Sequence, residues 1–214
     1  MLPRIAITDV APVVEHGRYP AKATVDEDFP VRANVFRDGH GHVGAGVVPI
    51  GPDGVERRTV TMTDLGNDAY EVWVAFDEPG AWSFRIESWA DPYATWVHDA
   101  TLKLAADVDT ALMLADGASL LKRASVSAPV VDARVLDAAL DIIDSDTRTP
   151  PERLAAATTP EVRNVLTRNP LRDQVGSSAT YPVFGDRERA LVGAWYEFFP
   201  RSVGTLRAAA DRLD

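Results

Sequence analysis

The chain has 214 residues, no cysteine and a formal net charge of −10, with a pI near 4.8. This acidic surplus disfavours nucleic acid and anionic membranes as partners, since both require basic patches. The lack of cysteine excludes disulfides, thiolate catalysis and cysteine-ligated metals. No stretch approaches the roughly 18 apolar residues of a membrane span, so we expect a soluble, cytoplasmic protein.

The first hundred residues predict a β-rich domain. Apolar and polar residues alternate in short runs, clearest at Val72 and Val74 and at Phe84 and Ile86, and turn-forming residues separate the runs. The pattern continues through residues 96–104, which we assign to the last strand. About seven strands in about a hundred residues are typical of an immunoglobulin- or fibronectin-like fold. We therefore expect an N-terminal β-sandwich over residues 1–105.

The apolar spacing becomes helical after residue 105. Val131, Val135 and Ala139 share one helix face, whereas Gly117 should weaken its helix by about 1 kcal/mol relative to alanine. Helix starts are marked by a threonine cap followed by proline, first at Thr149 and again at residues 159–160. Several short helices with such starts predict a small helical bundle over residues 106–185.

The last 29 residues predict a different unit. In residues 192–199 both alternating faces are apolar, which is typical of a parallel strand covered on both sides by helices. Pro200 would end this strand, and an alanine-rich helix follows it. We therefore expect residues 186–214 to be the first strand–helix unit of a truncated (β/α) barrel, whose remainder is missing.

Few residues are candidates for catalysis or metal binding. His40 and His42 lie close together in a glycine-rich turn, but a metal site needs three or four convergent ligands. His16 and His98 have no recognisable nucleophile nearby. The acidic residues 26–28 lack the ligand spacing of a calcium loop, and the glycine-rich turn does not open a helix that could hold phosphate. We expect no catalytic residue, no metal and no cofactor.

Two aromatic segments are of more interest. Trp89, Tyr93 and Trp96 surround an Asp-Pro turn and could form a platform for the face of a sugar ring. The favoured alternative is that these rings cover the edge of the sandwich or contact a neighbouring domain. Further on, Glu197 stands among aromatic residues, where burial requires a partner such as Arg201. A catalytic role for Glu197 would need a second carboxylate, which the sequence does not single out.

Three stretches carry a resemblance to a known family. These are residues 17–40, from GRYPAK to VFRDGH; residues 89–98, WADPYATWVH; and residues 193–202, GAWYEFFPRS. They resemble the N-terminal part of the bacterial α-1,4-glucan:maltose-1-phosphate maltosyltransferases. The resemblance runs from about Arg4 to the C-terminus and is weakest in the helical middle. Asp26 and Gly41 depart from the expected glycine and aspartate, both in turns that tolerate the exchange.

The resemblance implies a β-sandwich, then a helical bundle, then an amylase-like barrel of glycoside-hydrolase family 13 that begins near residue 193. In that family the two leading domains take part in homodimerisation. The barrel transfers maltosyl units from maltose 1-phosphate to the non-reducing end of an α-1,4-glucan. Its catalytic carboxylates come after the first barrel strand, so no catalytic residue is carried over to this chain. The residues expected to face the missing barrel are Trp195, Tyr196, Phe198 and Phe199.

Two kinds of function therefore remain open. The first is a scaffolding and dimerisation region of a glycosyltransferase, inactive by itself, whose partners are a second copy and the catalytic barrel. The alternative is a stand-alone module that binds α-glucan, or one that pairs strand 192–199 with a separately encoded barrel. An exposed strand of that kind would otherwise promote aggregation.

Overall fold

A computed structural model of the chain describes residues 4–192 and 197–211. Strands come first, then helices, then two further strands and a short helix. The first eight strands are β1 (Ile5–Ala11), β2 (Ala21–Thr24), β3 (Phe29–Arg37), β4 (Val43–Ile50), β5 (Val60–Thr61), β6 (Thr63–Gly66), β7 (Ala69–Val74) and β8 (Gly80–Ala90). The remaining elements are α1 (Pro92–Ala105), α2 (Thr110–Ser127), α3 (Val130–Ile143), α4 (Pro150–Ala157), α5 (Pro160–Arg168), β9 (Asp173–Ser177), β10 (Tyr181–Asp186) and α6 (Leu206–Ala210).

The strands form two sheets. One sheet has four antiparallel strands in the order β1-β3-β7-β6. The other has the order β2-β10-β8-β4-β5, with β9 also pairing with β8. Strand β8 is the centre of this second sheet, since β4 covers one edge while β9 and β10 share the other. The chain thus leaves the sheet at β8, forms five helices and returns to complete the same sheet.

A single hydrophobic core joins the two sheets. It contains alternate residues of β3, such as Val31 and Val35, and alternate residues of β8, such as Phe84 and Ile86. Burying each large side chain contributes roughly 1.5–3 kcal/mol relative to exposure. The period-two pattern of the sequence therefore identified the inward faces of these strands correctly.

The helices have a core of their own, which includes Trp96, Leu121, Leu136 and Ile143. Helices α2 and α3 are adjacent in the chain and pack against each other, and α4 and α5 pack against α3. The predicted order, β followed by α, is confirmed. Among the described residues no helix is long and apolar enough to cross a membrane.

The helix starts follow the predicted capping chemistry. The backbone N–H of Thr149 donates to Glu152 Oε2 over 2.8 Å, in a capping box at the start of α4. At α5 the backbone N–H of Val162 donates to Thr159 Oγ1 over 3.3 Å. These side chains satisfy backbone groups that the first helical turn leaves without a partner.

The predicted strand over residues 96–104 is wrong, because α1 begins at Pro92. Asp91 is its N-cap, and Asp91 Oδ1 accepts a hydrogen bond of 2.8 Å from the backbone N–H of Ala94. Tyr93, Trp96 and Ala100 recur at helical spacing, and all three are buried. A second difference is that β9 and β10 lie in a region predicted to be helical and belong to the second sheet.

The C-terminal prediction also differs from the structure. Val192 ends a 3₁₀ helix, and residues 197–199 have no regular secondary structure, so the described part of 192–199 is not a strand. Residues 193–196, including Trp195 and Tyr196, lie outside the described residues. Glu197 is exposed and therefore does not need Arg201 to compensate for burial. The predicted helix is present as α6, capped by Thr205 Oγ1.

Candidate functional site at the junction of sheets and helices

A cleft of about 610 Å³ lies where the two sheets meet the helices. Strands β4 and β6 form one wall, and helices α1 and α5 form the other. Its apolar lining includes Val43, Met62, Val97, Leu166 and Leu171. Its polar lining includes His42, Asp64, Asp91, His98, Arg163 and Thr167. Clefts of this volume between structural units commonly hold small molecules.

Trp89 lies in the sheet wall of this cleft. It is opposite Gly44 in the antiparallel ladder, and a Cβ at position 44 would lie 2.4 Å from Trp89 Nε1. The guanidinium carbon of Arg172 lies 4.5 Å from the centre of the indole ring, in a cation–π contact. Only 2% of Trp89 is exposed, and within the described ranges its buried Nε1 has no hydrogen-bond acceptor.

Hydrogen bonds at Asp91 and His42 join the two walls of the cleft. The backbone N–H of Asp91 donates to His42 O over 2.9 Å, and the backbone N–H of His42 donates to Thr95 Oγ1 over 2.9 Å. Burial raises the pKa of the Asp91 carboxyl, although the backbone N–H groups of Ala94 and Tyr93 favour its ionised form. The start of β4 is therefore held against the first turn of α1.

Two histidines meet at the rim of the cleft. The rings of His42 and His98 are edge to face, with their centres 5.7 Å apart, and both residues are exposed. No local pattern in the sequence predicts this pair, because 56 positions separate the two residues and one of them lies in a loop. Two ligands fall short of the three or four of a typical metal site. Over residues 4–192 and 197–211, no three His, Cys, Asp or Glu side chains are grouped to bind a metal.

The predicted aromatic platform is not open to a sugar. Tyr93 and Trp96 are 6% and 5% exposed, and Trp89 is equally buried. The Tyr93 hydroxyl donates to Ala157 O over 2.8 Å, and Trp96 Nε1 donates to Met113 O over 2.7 Å. These rings pack within the molecule, because Tyr93 and Trp96 lie on the inner face of α1 and the segment is not a surface turn. Trp89 and Tyr93 do line the cleft, whereas Trp96 lines a separate one beside α2.

A charged network borders Trp89 on the outer face of the second sheet. Glu87 accepts hydrogen bonds from both Arg85 and Arg172, and Arg85 also bonds Glu56. Burial acts to raise the pKa of Glu87, but the two arginines outweigh it and hold that pKa below its usual range. The network positions Arg172 over the Trp89 ring.

The remaining candidates lie apart from the cleft. His16 lies in a short 3₁₀ turn and His40 in an exposed loop. Asp26 has a φ of 59°, in the left-handed region where glycine is unstrained, which explains why glycine was expected there. A Cβ at Gly41 would lie 3.0 Å from Arg37 Nη1, so the expected aspartate would stand beside a cation.

Together these features define a β region of two sheets, with a helical unit inserted between β8 and β9 and a polar cleft at their junction. Residues 3–187 match the family model for alpha-1,4-glucan:maltose-1-phosphate maltosyltransferase, domain N/S. The chain belongs to this family, which confirms the resemblance found in the sequence.

Whole proteins of the same description are similar to this chain. Alpha-1,4-glucan:maltose-1-phosphate maltosyltransferase 1 of Streptomyces coelicolor is 48% identical over 98% of this chain and 33% of its own length. The enzyme of Arcanobacterium haemolyticum is 42% identical over 99% of this chain and 33% of its own. That of Mycobacterium tuberculosis is 38% identical over 94% and 32%. The chain thus spans about a third of the length of these relatives.

Proposed function

We propose that this chain is the N-terminal scaffolding and dimerisation region of a cytoplasmic enzyme that transfers maltosyl units from maltose 1-phosphate to α-1,4-glucan. The observation that carries the proposal is the match to domain N/S over residues 3–187, in relatives three times as long. The catalytic barrel would lie in the part of those relatives that this chain does not cover. The lack of cysteine suits a reducing compartment.

The scaffold in this proposal is an immunoglobulin-like β-sandwich. The shared core between the two sheets and the antiparallel pairing of most strands support it. Because β9 and β10 close the open edge of β8, the inserted helices are anchored at both of their ends. Such a frame can hold the helical unit in a fixed direction.

An apolar surface at the turn between α2 and α3 supports the dimerisation role. Val126, Val130 and Val131 are 85%, 72% and 75% exposed and lie within six residues of one another. Grouped exposed valines are costly to leave in water and are typical of protein contact surfaces. We assign a second copy of the chain as the partner that covers them.

The aromatic residues before α6 would contact the barrel. Phe199 is 76% exposed and Phe198 is half-buried, while their predicted companions Trp195 and Tyr196 lie outside the described residues. An exposed phenylalanine followed by the exposed Leu206 provides apolar area for a neighbouring domain.

An enzyme assay tests the proposal that catalysis takes place outside the scaffolding region. The 214-residue chain, supplied with maltose 1-phosphate and glycogen, should release no inorganic phosphate above the rate of a boiled sample. A chain that contains only the scaffolding region has no acid–base pair to break the glycosyl–phosphate bond. Phosphate release that depends on the folded chain would overturn the proposal that the chemistry lies elsewhere.

A further inference from the structure

The helices are joined to the sheets by two short connections and have a separate core. The first connection is Asp91, between β8 and α1, and the second is residues 169–172, between α5 and β9. Over residues 4–192 and 197–211, no buried side chain belongs to both the sheet core and the helix core. Units of one chain move relative to each other unless a large apolar interface prevents it. We propose that the junction is a hinge about these two connections, and that the ion pair between Arg123 and Asp173 holds it in its present position.

Polar bonds fix the two connections to the sheets. The backbone N–H of Asp91 donates to the start of β4, and the guanidinium of Arg172 donates to Glu87 of β8. The large buried ring at the junction, Trp89, packs on Gly44 of its own sheet and under Arg172 of the second connection. These contacts lie at the connections themselves. They therefore fix the points about which the helices can turn, and they leave the angle between helices and sheets to other contacts.

Clefts on two faces of α1 leave room for such a motion. Val97 and His98 line the cleft of about 610 Å³ described above. Thr95 and Asp99 line a second cleft, of about 490 Å³, between α1, α2 and the start of β9. Asp91 lines both clefts, so they lie on either side of the first connection. A turn of the helices about the connections would narrow one cleft and widen the other.

The ion pair between Arg123 and Asp173 joins α2 to β9 beside the second cleft. The guanidinium of Arg123 donates two hydrogen bonds to the carboxylate of Asp173, of 2.9 and 3.3 Å. A bidentate pair restricts orientation as well as distance, so it restrains the angle between this helix and this strand. The two side chains are 47% and 44% exposed, and exposed pairs contribute little free energy. The restraint is therefore weak enough to be released while the chain stays folded.

Distances between spin labels test the hinge, because a chain without cysteine takes labels only where cysteines are introduced. Lys22→Cys with Asp141→Cys places one label on β2 and one on α3, both at exposed positions. Lys22→Cys with Thr63→Cys places both labels on the sheets and is the control pair. Each labelled chain is refolded with an excess of unlabelled chain, so that a dimer does not add a second labelled copy. Arg123→Gln should broaden the distance distribution across the junction and raise the share of molecules outside the main peak roughly two- to fivefold, while the control pair stays unchanged.

Arg168→Gln is the matched control variant, because it breaks an ion pair with Asp132 that lies entirely within the helices. It should leave the distance distribution across the junction like that of the wild type. Raised ionic strength screens exposed charges, so it should broaden the wild-type distribution and have little further effect in Arg123→Gln. A distribution that Arg123→Gln leaves unchanged, or that Arg168→Gln broadens equally, would overturn the proposal. Circular dichroism should show each variant folded, and sedimentation of the same samples reports the proposed dimerisation separately.

Discussion

The indole ring of Trp96 occupies the space that a side chain at position 117 would need. A Cβ at Gly117 would lie 2.2 Å from Trp96 Cζ2 and 2.8 Å from Ile143 Cδ1. The same indole donates its N–H to Met113 O, so a single residue of α1 is bonded to α2 and packed against it. Gly117 of α2 is thus packed against side chains of both α1 and α3, and it is not simply a weak point of its helix.

Gly117→Ala should therefore destabilise the chain. Alanine is normally favoured over glycine inside a helix by about 1 kcal/mol, but here the added methyl group would overpack the core by about 1–3 kcal/mol. Urea unfolding measures the change in free energy. The neighbouring Asp116 is exposed, so Asp116→Ala is the matched control and should stay within about 0.5 kcal/mol of the wild type. A more stable Gly117→Ala variant would show that the ring does not occupy this space.

Because Tyr70 and Tyr93 are buried, we expect the free energy of unfolding to decrease at alkaline pH. Burial raises the pKa of both Tyr70 and Tyr93 to about 12, against about 10 for an exposed tyrosine. Their contribution to stability is complete below pH 10, because both states are then protonated. It falls between about pH 10 and 12, where the unfolded chain ionises first.

The urea midpoint of the wild type should therefore decrease across this range. Tyr70→Phe and Tyr93→Phe should each reduce the decrease, and the double variant should reduce it most. Each variant also loses a hydrogen bond, from the Tyr70 hydroxyl to Val43 O or from the Tyr93 hydroxyl to Ala157 O, so each should start from a stability about 1 kcal/mol lower. An unchanged pH dependence in the double variant would contradict the burial of these hydroxyls.

Asp91→Ala should lower stability by about 1 kcal/mol, since it removes the cap of α1. Asp91→Asn keeps a side-chain acceptor for the N–H of Ala94 and removes a carboxylate whose ionisation burial disfavours, so it should be nearly neutral. Thermal unfolding of both variants separates the contribution of the N-cap hydrogen bond from that of the carboxylate charge. Equal losses in the two variants would mean that the charge, not the acceptor, is what matters.

Local patterns in the sequence were sufficient for much of the fold. The inward faces of β3 and β8 followed from alternation, and the starts of α4 and α5 followed from threonine and proline. Asp91 and Pro92 are ambiguous in the sequence, because the same pair can begin either a turn or a helix. The aromatic residues after them have helical spacing, which would have favoured the helix.

Other features depend on contacts between distant residues. Strand β9 has a weak β pattern and forms because the edge of β8 is open to it. His42 lies beside His98 because the hydrogen bond from the backbone N–H of Asp91 to His42 O holds the start of β4 against α1. The need for glycine at position 117 arises from Trp96, twenty-one positions earlier. No local sequence pattern predicts these contacts.

Sedimentation equilibrium of the 214-residue chain tests the proposed scaffolding and dimerisation role most directly. The account predicts a particle of twice the 23.2 kDa chain mass. Val130→Glu should shift it to the monomer, because it places a charge in the proposed contact at the turn between α2 and α3. Val108→Glu, in the turn that precedes α2, is the matched exposed control and should remain dimeric. A wild-type chain that stays at 23.2 kDa at every concentration, or a Val130→Glu variant that remains dimeric, would contradict the assignment.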